Sequence, residues 1–251
     1  IEFYNSEIER YKRQETEVNL KEFITYDETI ISWSRALINS IKRKETKTYS
    51  EKNVVLSVYR PFCKQFVYYS SDFNECQYQT SHLFKGENLG ICIHGLNGKK
   101  EFSVLMVDHL PDLNILDASA KCLPLYWYEE NDDTDTLFAS LDRSLIWKDG
   151  ISSKFLEKVR NFYKNTDVEK EDIFYYVYSF LHSKEYRTTF KADLNKEFPR
   201  IYLVRSFSEF KEFVEKGKLL ANLHLNYELS GPSQSSSVEF SLDKPEDEWT
   251  L

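Results

Sequence analysis

Glycine and proline are scarce, seven and six in 251 residues, which excludes collagen-like and linker-like chains. The glycines form neither GxGxxG nor a GxxxxGK run, so no dinucleotide or P-loop site is written here. No two prolines are adjacent, which removes the Asn/Asp-Pro-Pro-aromatic loop of amino-methyltransferases. Cysteine is limited to Cys63, Cys76, Cys92 and Cys122, with no CxxC pair. A disulfide framework is therefore not expected, and buried free thiols in a reducing cytoplasm are. The five histidines (His82, His94, His109, His182, His224) show neither HExxH nor zinc-finger spacing. No apolar run approaches the length of a membrane span. Residues Ile1 to Arg13 are charged and periodic, unlike a signal peptide, and the opening on Ile1 points to an excised fragment. A basic excess is missing too. The net charge of -8 argues against indiscriminate binding to nucleic acid, though not against a specific reader whose cations are clustered.

What is abundant is aromatic, with 17 Tyr and 18 Phe, enough to give a chain of this length a real core. Up to Lys47 the pattern is mainly helical. Trp33, Leu37, Ile38 and Ile41 share a face of a helix opening after Ser32 or Ser34, and Lys42-Arg43-Lys44 closes it. From Asn53 to Tyr128 the pattern is that of strands: Asn53–Tyr59, Gln65–Tyr69, Gly90–His94, Glu101–Val107 and Lys121–Tyr128. Asn97-Gly98 marks a hairpin whose loop exceeds two residues. Pro124 places its strand at an edge or a bulge. Asn131–Thr136 is an acidic break. The pattern from there to Tyr227 is mostly helical, with Phe155, Val159 and Phe162 on one face. Thr166 and Glu169 have capping-box spacing. Ser183 caps a helix carrying Tyr186, Phe190 and Leu194, Arg200–Arg205 is a short strand, and Ser206 or Ser208 starts a last helix. Serines crowd residues 230 to 237, a stretch too polar to order itself, and Trp249 beyond it could dock. The reading is an α+β chain with a central antiparallel or mixed sheet between an N-terminal helical segment (1–50) and a C-terminal helical part. The β-rich part covers 51–135, the helical part 136–228 and the tail 229–251.

No catalytic or metal-ligating constellation emerges. Asp108-His109 reads as a strand end entering a turn at Pro111, and His182 as a helix-end imidazolium favoured by the dipole. Glu129-Glu130 and Asp132-Asp133 read as a solvated loop, with a divalent ion as the sharper alternative. Gly95-Leu96-Asn97-Gly98 suits a hairpin better than a phosphate-clamping GxxG. The residues most suited to meet DNA are Lys99 and Lys100 on a hairpin turn, and Arg187 and Lys191 on one helix face with Lys184 nearby. Arg60 and Lys64 bracket a turn between two strands. Solvated charge is the ordinary alternative for each. In Tyr59-Arg60-Pro61-Phe62, Pro61 is expected to turn the chain while Tyr59 and Phe62 enter the core.

Several segments together carry a resemblance. They are Ile31-Ser32-Trp33-Ser34-Arg35, Tyr59-Arg60-Pro61-Phe62 with Phe66-Val67-Tyr68-Tyr69, and Phe102-Ser103-Val104-Leu105-Met106-Val107-Asp108-His109 with Pro111-Asp112-Leu113. Cys122-Leu123-Pro124-Leu125-Tyr126, Glu171-Asp172-Ile173-Phe174-Tyr175-Tyr176, Leu181-His182-Ser183, Leu194 to Ile201 and Asn222 to Tyr227 follow. In this order, through most of the chain, they resemble the C-terminal target-recognition domain of single-chain Type ISP restriction-modification enzymes. The sequence departs from that pattern at Cys63, where a polar or acidic residue is expected, and in the serine-rich tail. The resemblance implies a non-catalytic bacterial cytoplasmic domain that reads a short asymmetric duplex site, so that an adenine methyltransferase of the same polypeptide can act on a flipped base. S-adenosylmethionine, ATP and Mg²⁺ would belong to the parent enzyme's methyltransferase, translocase and nuclease parts, and no cofactor to this fragment. Two alternatives stand beside it: an interaction domain that docks the methyltransferase with little base contact, and an enzyme whose site carries no motif.

Overall fold

Eleven residues after the first make helix α1 (Glu2–Lys12), followed by α2 (Leu20–Phe23) and α3 (Arg35–Lys42). The computed structural model describes residues 1–229 apart from 17, 75, 76, 97, 99, 118, 119 and 131–144. Tyr4 and Ile8 stand one turn apart on α1, Leu37 and Ile41 one turn apart on α3, and both pairs close with Leu20 and Ile24 into a core of their own. Ser34 caps α3 by accepting from the Leu37 amide at 3.2 Å, and Trp33, just outside the helix, donates its indole N–H to the Thr25 carbonyl at 2.9 Å. The Asn5 side chain then bonds both the amide (2.9 Å) and the carbonyl (2.8 Å) of Lys47, tying the exit from α3 back to α1.

The strands divide into three small sheets. Strand β1 (Val54–Arg60) pairs antiparallel with β2 (Cys63–Tyr68); β3 (Gly90–Ile93) pairs antiparallel with β4 (Val104–Val107). The two-residue β5 (Leu110–Pro111) lies parallel to β1, so that sheet is mixed in the order β2-β1-β5. β6 (Lys121–Pro124) completes the second sheet as an edge, in the order β4-β3-β6. Pro124 ends it where a missing N–H is tolerated. β7 (Tyr126–Glu130) and β8 (Leu145–Asp149) form a separate antiparallel ribbon. The single strand expected over Lys121–Tyr128 thus breaks at Leu125, whose amide instead bonds the Leu89 carbonyl at 2.8 Å. β8 corrects the helical reading of its segment: Ile146 and Trp147 suit a strand, and the segment pairs antiparallel with β7. β3 and β4 are buried along their whole length. Their alternation splits between two cores. Cys92, Leu105 and Val107 face Val58 and Ile115, while Ile91, Ile93, Val104 and Met106 face the helices.

Those helices are α4 (Ser153–Tyr163), α5 (Lys170–His182), α6 (Lys184–Thr189), α7 (Lys191–Leu194) and α8 (Phe207–Leu225). Ser183 caps α6 and Ser206 caps α8 through a capping box with Glu209, as their positions predict. At α5 the cap lies a turn later than Thr166: Asp167 is taken up in an Asx turn on Asn165 (2.7 Å), and Glu169 is itself the N-cap, closed by Asp172. The helix expected from Tyr186 to Leu194 breaks at Phe190. Arg200–Arg205 is extended but joins no ladder among the described residues. Tyrosine hydroxyls serve its backbone instead, as Tyr186 donates to Arg200 O (3.2 Å), Tyr176 to Tyr202 O (2.7 Å) and Tyr163 to Val204 O (2.9 Å). The Ser-rich stretch, Trp249, Asn131–Thr136 and Cys76 lie outside the described residues; Cys63, Cys92 and Cys122 are free thiols.

Candidate nucleic-acid interface

Four residues after Arg187, across the break at Phe190, Lys191 opens α7, and both side chains face the segment that leads into β4. The Arg187 guanidinium donates to the Phe102 carbonyl and lies 5.8 Å from that residue's ring centre. The Lys191 ammonium pairs with Glu101 at 2.7 Å, with both side chains largely in water. The hydrogen bond to Glu101 holds the Lys191 ammonium above its ordinary pKa. Lys184, Arg187, Thr188, Lys191 and Asn195 line one side of a cleft of about 480 Å³, with Glu101 and Phe102 on the other. Lys100, next to Glu101, is exposed, and its amide donates to Asp117 at 3.2 Å. The structure therefore brings Arg187 and Lys191 against the chain segment that carries Lys100. Lys99 lies outside the described residues.

Arg60 and Lys64 do not line this cleft. Arg60 stacks on the Tyr59 ring at 4.0 Å and bonds Asp112 at 2.9 Å, and Lys64 faces Asp108 at 3.5 Å. The turn between them also departs from expectation, because Tyr59 and Phe62 are 42% and 46% exposed instead of buried. Pro61 and Phe62 are the two residues that link β1 to β2, and Phe62 takes a φ of 58°. A positive-φ residue in so short a turn holds its side chain off the sheet. The Phe62 ring instead meets His224 (5.5 Å between ring centres) and Tyr227 (5.3 Å).

His182 is corrected as well. It ends α5, yet it is not an imidazolium: burial, with His224 and Arg187 beside it, pulls its pKa down to about 4. Desolvation outweighs the helix dipole, which falls off within a turn. Asp108 and His109 bond each other at 2.5 Å, and Leu110-Pro111 after them joins β1 as a strand rather than only turning. Glu129 pairs with Lys148 at 2.5 Å, while Asp132 and Asp133 lie outside the described residues. Among the described residues no group of three His, Cys, Asp or Glu could hold a metal ion.

Sequence reasoning missed a broader groove of about 720 Å³, lined in part by Lys52, Asn53, Gln77, Thr80, Lys85 and His109. Its walls come from separate stretches spread over more than fifty residues, from Lys52 to Leu110, so no motif or spacing marks it. The lysine and amide side chains on it were the one available sign.

A family model described as the Type ISP C-terminal specificity domain matches residues 1–248. Solved structures similar to the chain include three bound to DNA or a DNA mimic. One is the ATP-dependent Type ISP restriction-modification enzyme LlaBIII bound to DNA, at 34% identity and a TM-score of 0.72, over 92% of this chain and 14% of that one. Another is a nuclease-deletion mutant of the Type ISP enzyme LlaGI in complex with a DNA substrate mimic, at 32% identity and a TM-score of 0.70, over 90% of this chain and 16% of that one. The third is a DrdV–DNA complex, at 30% identity and a TM-score of 0.71, over 91% of this chain and 20% of that one. The chain thus spans a fifth or less of the length of each. No curated protein matches it. With one family model matched along nearly its whole length, the chain belongs to the Type ISP C-terminal specificity domains.

Proposed function

We propose that this chain reads a specific duplex DNA sequence and directs the adenine methyltransferase, translocase and nuclease parts of a restriction-modification polypeptide to it. The observation that carries the reading is the cleft where Lys184, Arg187 and Lys191 meet the segment bearing Lys100. In a chain of net charge -8, duplex affinity has to come from such a local concentration of cations. The three similar structures support it, since each is of a protein–DNA complex. Lys99, Lys100 and Lys191 hold phosphates, Arg187 reaches a base edge, and Arg60 and Lys64, which do not line this cleft, contribute less. The domain works in the bacterial cytoplasm. S-adenosylmethionine, ATP and Mg²⁺ serve other parts of the polypeptide.

The test is to select preferred duplexes from a randomised pool with the chain, then titrate selected and scrambled duplexes across salt. Lys100→Ala and Lys191→Ala should weaken both alike and lower the salt slope by about one each. Arg187→Ala should cost about 1–3 kcal/mol and relax preference at one position. A wild-type chain that prefers no duplex overturns the proposal.

One observation favours a second reading, in which the domain docks the methyltransferase and touches few bases. Leu219 and Leu223 are exposed on α8 beside a groove of about 450 Å³ that Phe213 and Leu220 also line. In that reading residues 1–50 join the chain to the methyltransferase, and the three substitutions leave duplex binding unchanged.

A further inference from the structure

Residues 77–80 form a tight turn, with the Thr80 amide bonded to the Gln77 carbonyl at 3.1 Å. Its first central residue, Tyr78, has a φ of 47°, and its second, Gln79, sits at φ -92°, ψ 1°. A positive first φ followed by a bridge-region second residue is the type II′ pattern, whose first position belongs to glycine. A tyrosine there crowds its own backbone. Nothing nearby compensates: the side chain is 74% exposed, with no hydrogen bond or ring contact among the described residues. The turn itself is anchored from behind, since the Thr80 hydroxyl meets both Tyr69 OH (2.8 Å) and the Gln77 carbonyl. The chain thus holds a bare aromatic ring outward on a fixed base. Strain kept in this way marks a surface that is used.

The ends of that turn, Gln77 and Thr80, line the 720 Å³ groove, with Lys52 and Lys85 among its other walls. Ammonium groups that can meet phosphates, an amide that can meet a base edge and an exposed ring at the rim match the needs of a partly unstacked nucleic acid. The carboxylates of Glu87 and Asp108 also line the groove, but Asp108 is taken up by His109 and Lys64.

We propose that Tyr78 is a nucleobase-stacking residue, which packs its ring against an opened base step of the bound duplex while Lys52 and Lys85 hold the flanking phosphates. The proposal rests on the reading of this chain as a DNA-recognition domain. Its test uses duplexes from the selection above, with 2-aminopurine placed at successive positions and read by fluorescence. The wild-type chain should change the signal at one step. Tyr78→Gly, which suits the backbone, should leave the urea midpoint unchanged or raised, yet weaken binding about tenfold and abolish that signal. Tyr78→Phe should retain both. If Tyr78→Gly does not fold, Tyr78→Leu, bulky but without an aromatic face, must show the same two losses. A glycine or leucine variant that binds with wild-type affinity, or keeps the signal, overturns the stacking role and marks the ring as a contact for another protein. A wild-type chain that selects no duplex instead removes the recognition reading itself.

Discussion

A phenol can donate one proton and accept two hydrogen bonds, and Tyr176 uses two of these capacities at once. Its hydroxyl donates to Tyr202 O at 2.7 Å and accepts from the Val204 amide at 3.1 Å, so a single side chain stands where a neighbouring strand would be. The residue is fully buried, and burial raises the pKa of its hydroxyl, so the donor is retained over the whole physiological range. Tyr176→Phe would leave the Val204 N–H and the Tyr202 carbonyl without that partner while preserving the ring's stacking on Phe180 and Phe210. The expected loss is about 1–3 kcal/mol, read from urea denaturation. Tyr26→Phe, at a side chain 58% exposed, should cost close to nothing. Equal losses at the two positions would mean that the 200–204 segment does not depend on Tyr176. The aromatic richness of the sequence is explained partly here, since several of its tyrosines are structural hydrogen-bonding groups as well as apolar bulk.

Between elements, α5 and α8 approach closely at Gly217. A Cβ built there would lie 2.1 Å from the Tyr175 carbonyl oxygen and 2.8 Å from its carbon, and backbone cannot step aside as a flexible side chain does. The same seam is closed by the Ser179 hydroxyl, which donates to the Phe213 carbonyl at 2.6 Å. Gly217→Ala would gain about 1 kcal/mol of helix propensity. It must force the helices apart, and overpacking of this kind costs about 1–3 kcal/mol or more. The net expectation is destabilisation, seen as a lower urea midpoint; a raised midpoint would show that the helices separate freely. Elements with local signals were legible in the sequence: the caps at Ser34, Ser183 and Ser206, the edge position of the strand that carries Pro124, and the long loop around Gly98. Elements decided by distant partners were not. β8 is a strand because β7 lies beside it, and Phe62 is outside, where its ring meets His224 and Tyr227. At the site, Arg187 and Lys191 do not share one helix as their spacing suggests, since α6 ends before Phe190 and Lys191 opens α7, and their meeting with Phe102 and Glu101 spans 85 and 90 residues of chain.

At the scale of the molecule, sheet and helices are joined across a seam of polar rings. The Tyr178 hydroxyl accepts from the Met106 amide of β4 at 3.0 Å and also hydrogen-bonds Nδ1 of His224 on α8. His182, at the end of α5, packs on both rings, 4.9 Å from Tyr178 and 5.6 Å from His224. Its Nε2 has no hydrogen-bond partner among the described residues. Burial lowers the pKa of His224 too, and Arg187 adds a fixed positive charge near His182. Protonating this seam therefore places charge in a desolvated site beside another cation. For His182 the folded-state pKa is about 4 against an ordinary 6.5. Between these values His182 binds more protons in the unfolded chain than in the folded one, so its contribution to stability is fully present above 6.5 and is lost as pH drops through 6.5 toward 4. The full effect of such a shift is about 3 kcal/mol, which solvent screening of a partly exposed ring reduces to about 2 kcal/mol. His182→Gln keeps a polar side chain without a titrating group. It should flatten the decline in urea stability between pH 7 and pH 4.5 relative to wild type, while changing the midpoint little at pH 7. If the variant loses stability with pH as steeply as the wild type does, acid sensitivity arises away from this seam, and His182 does not couple the helices to the sheet through its charge.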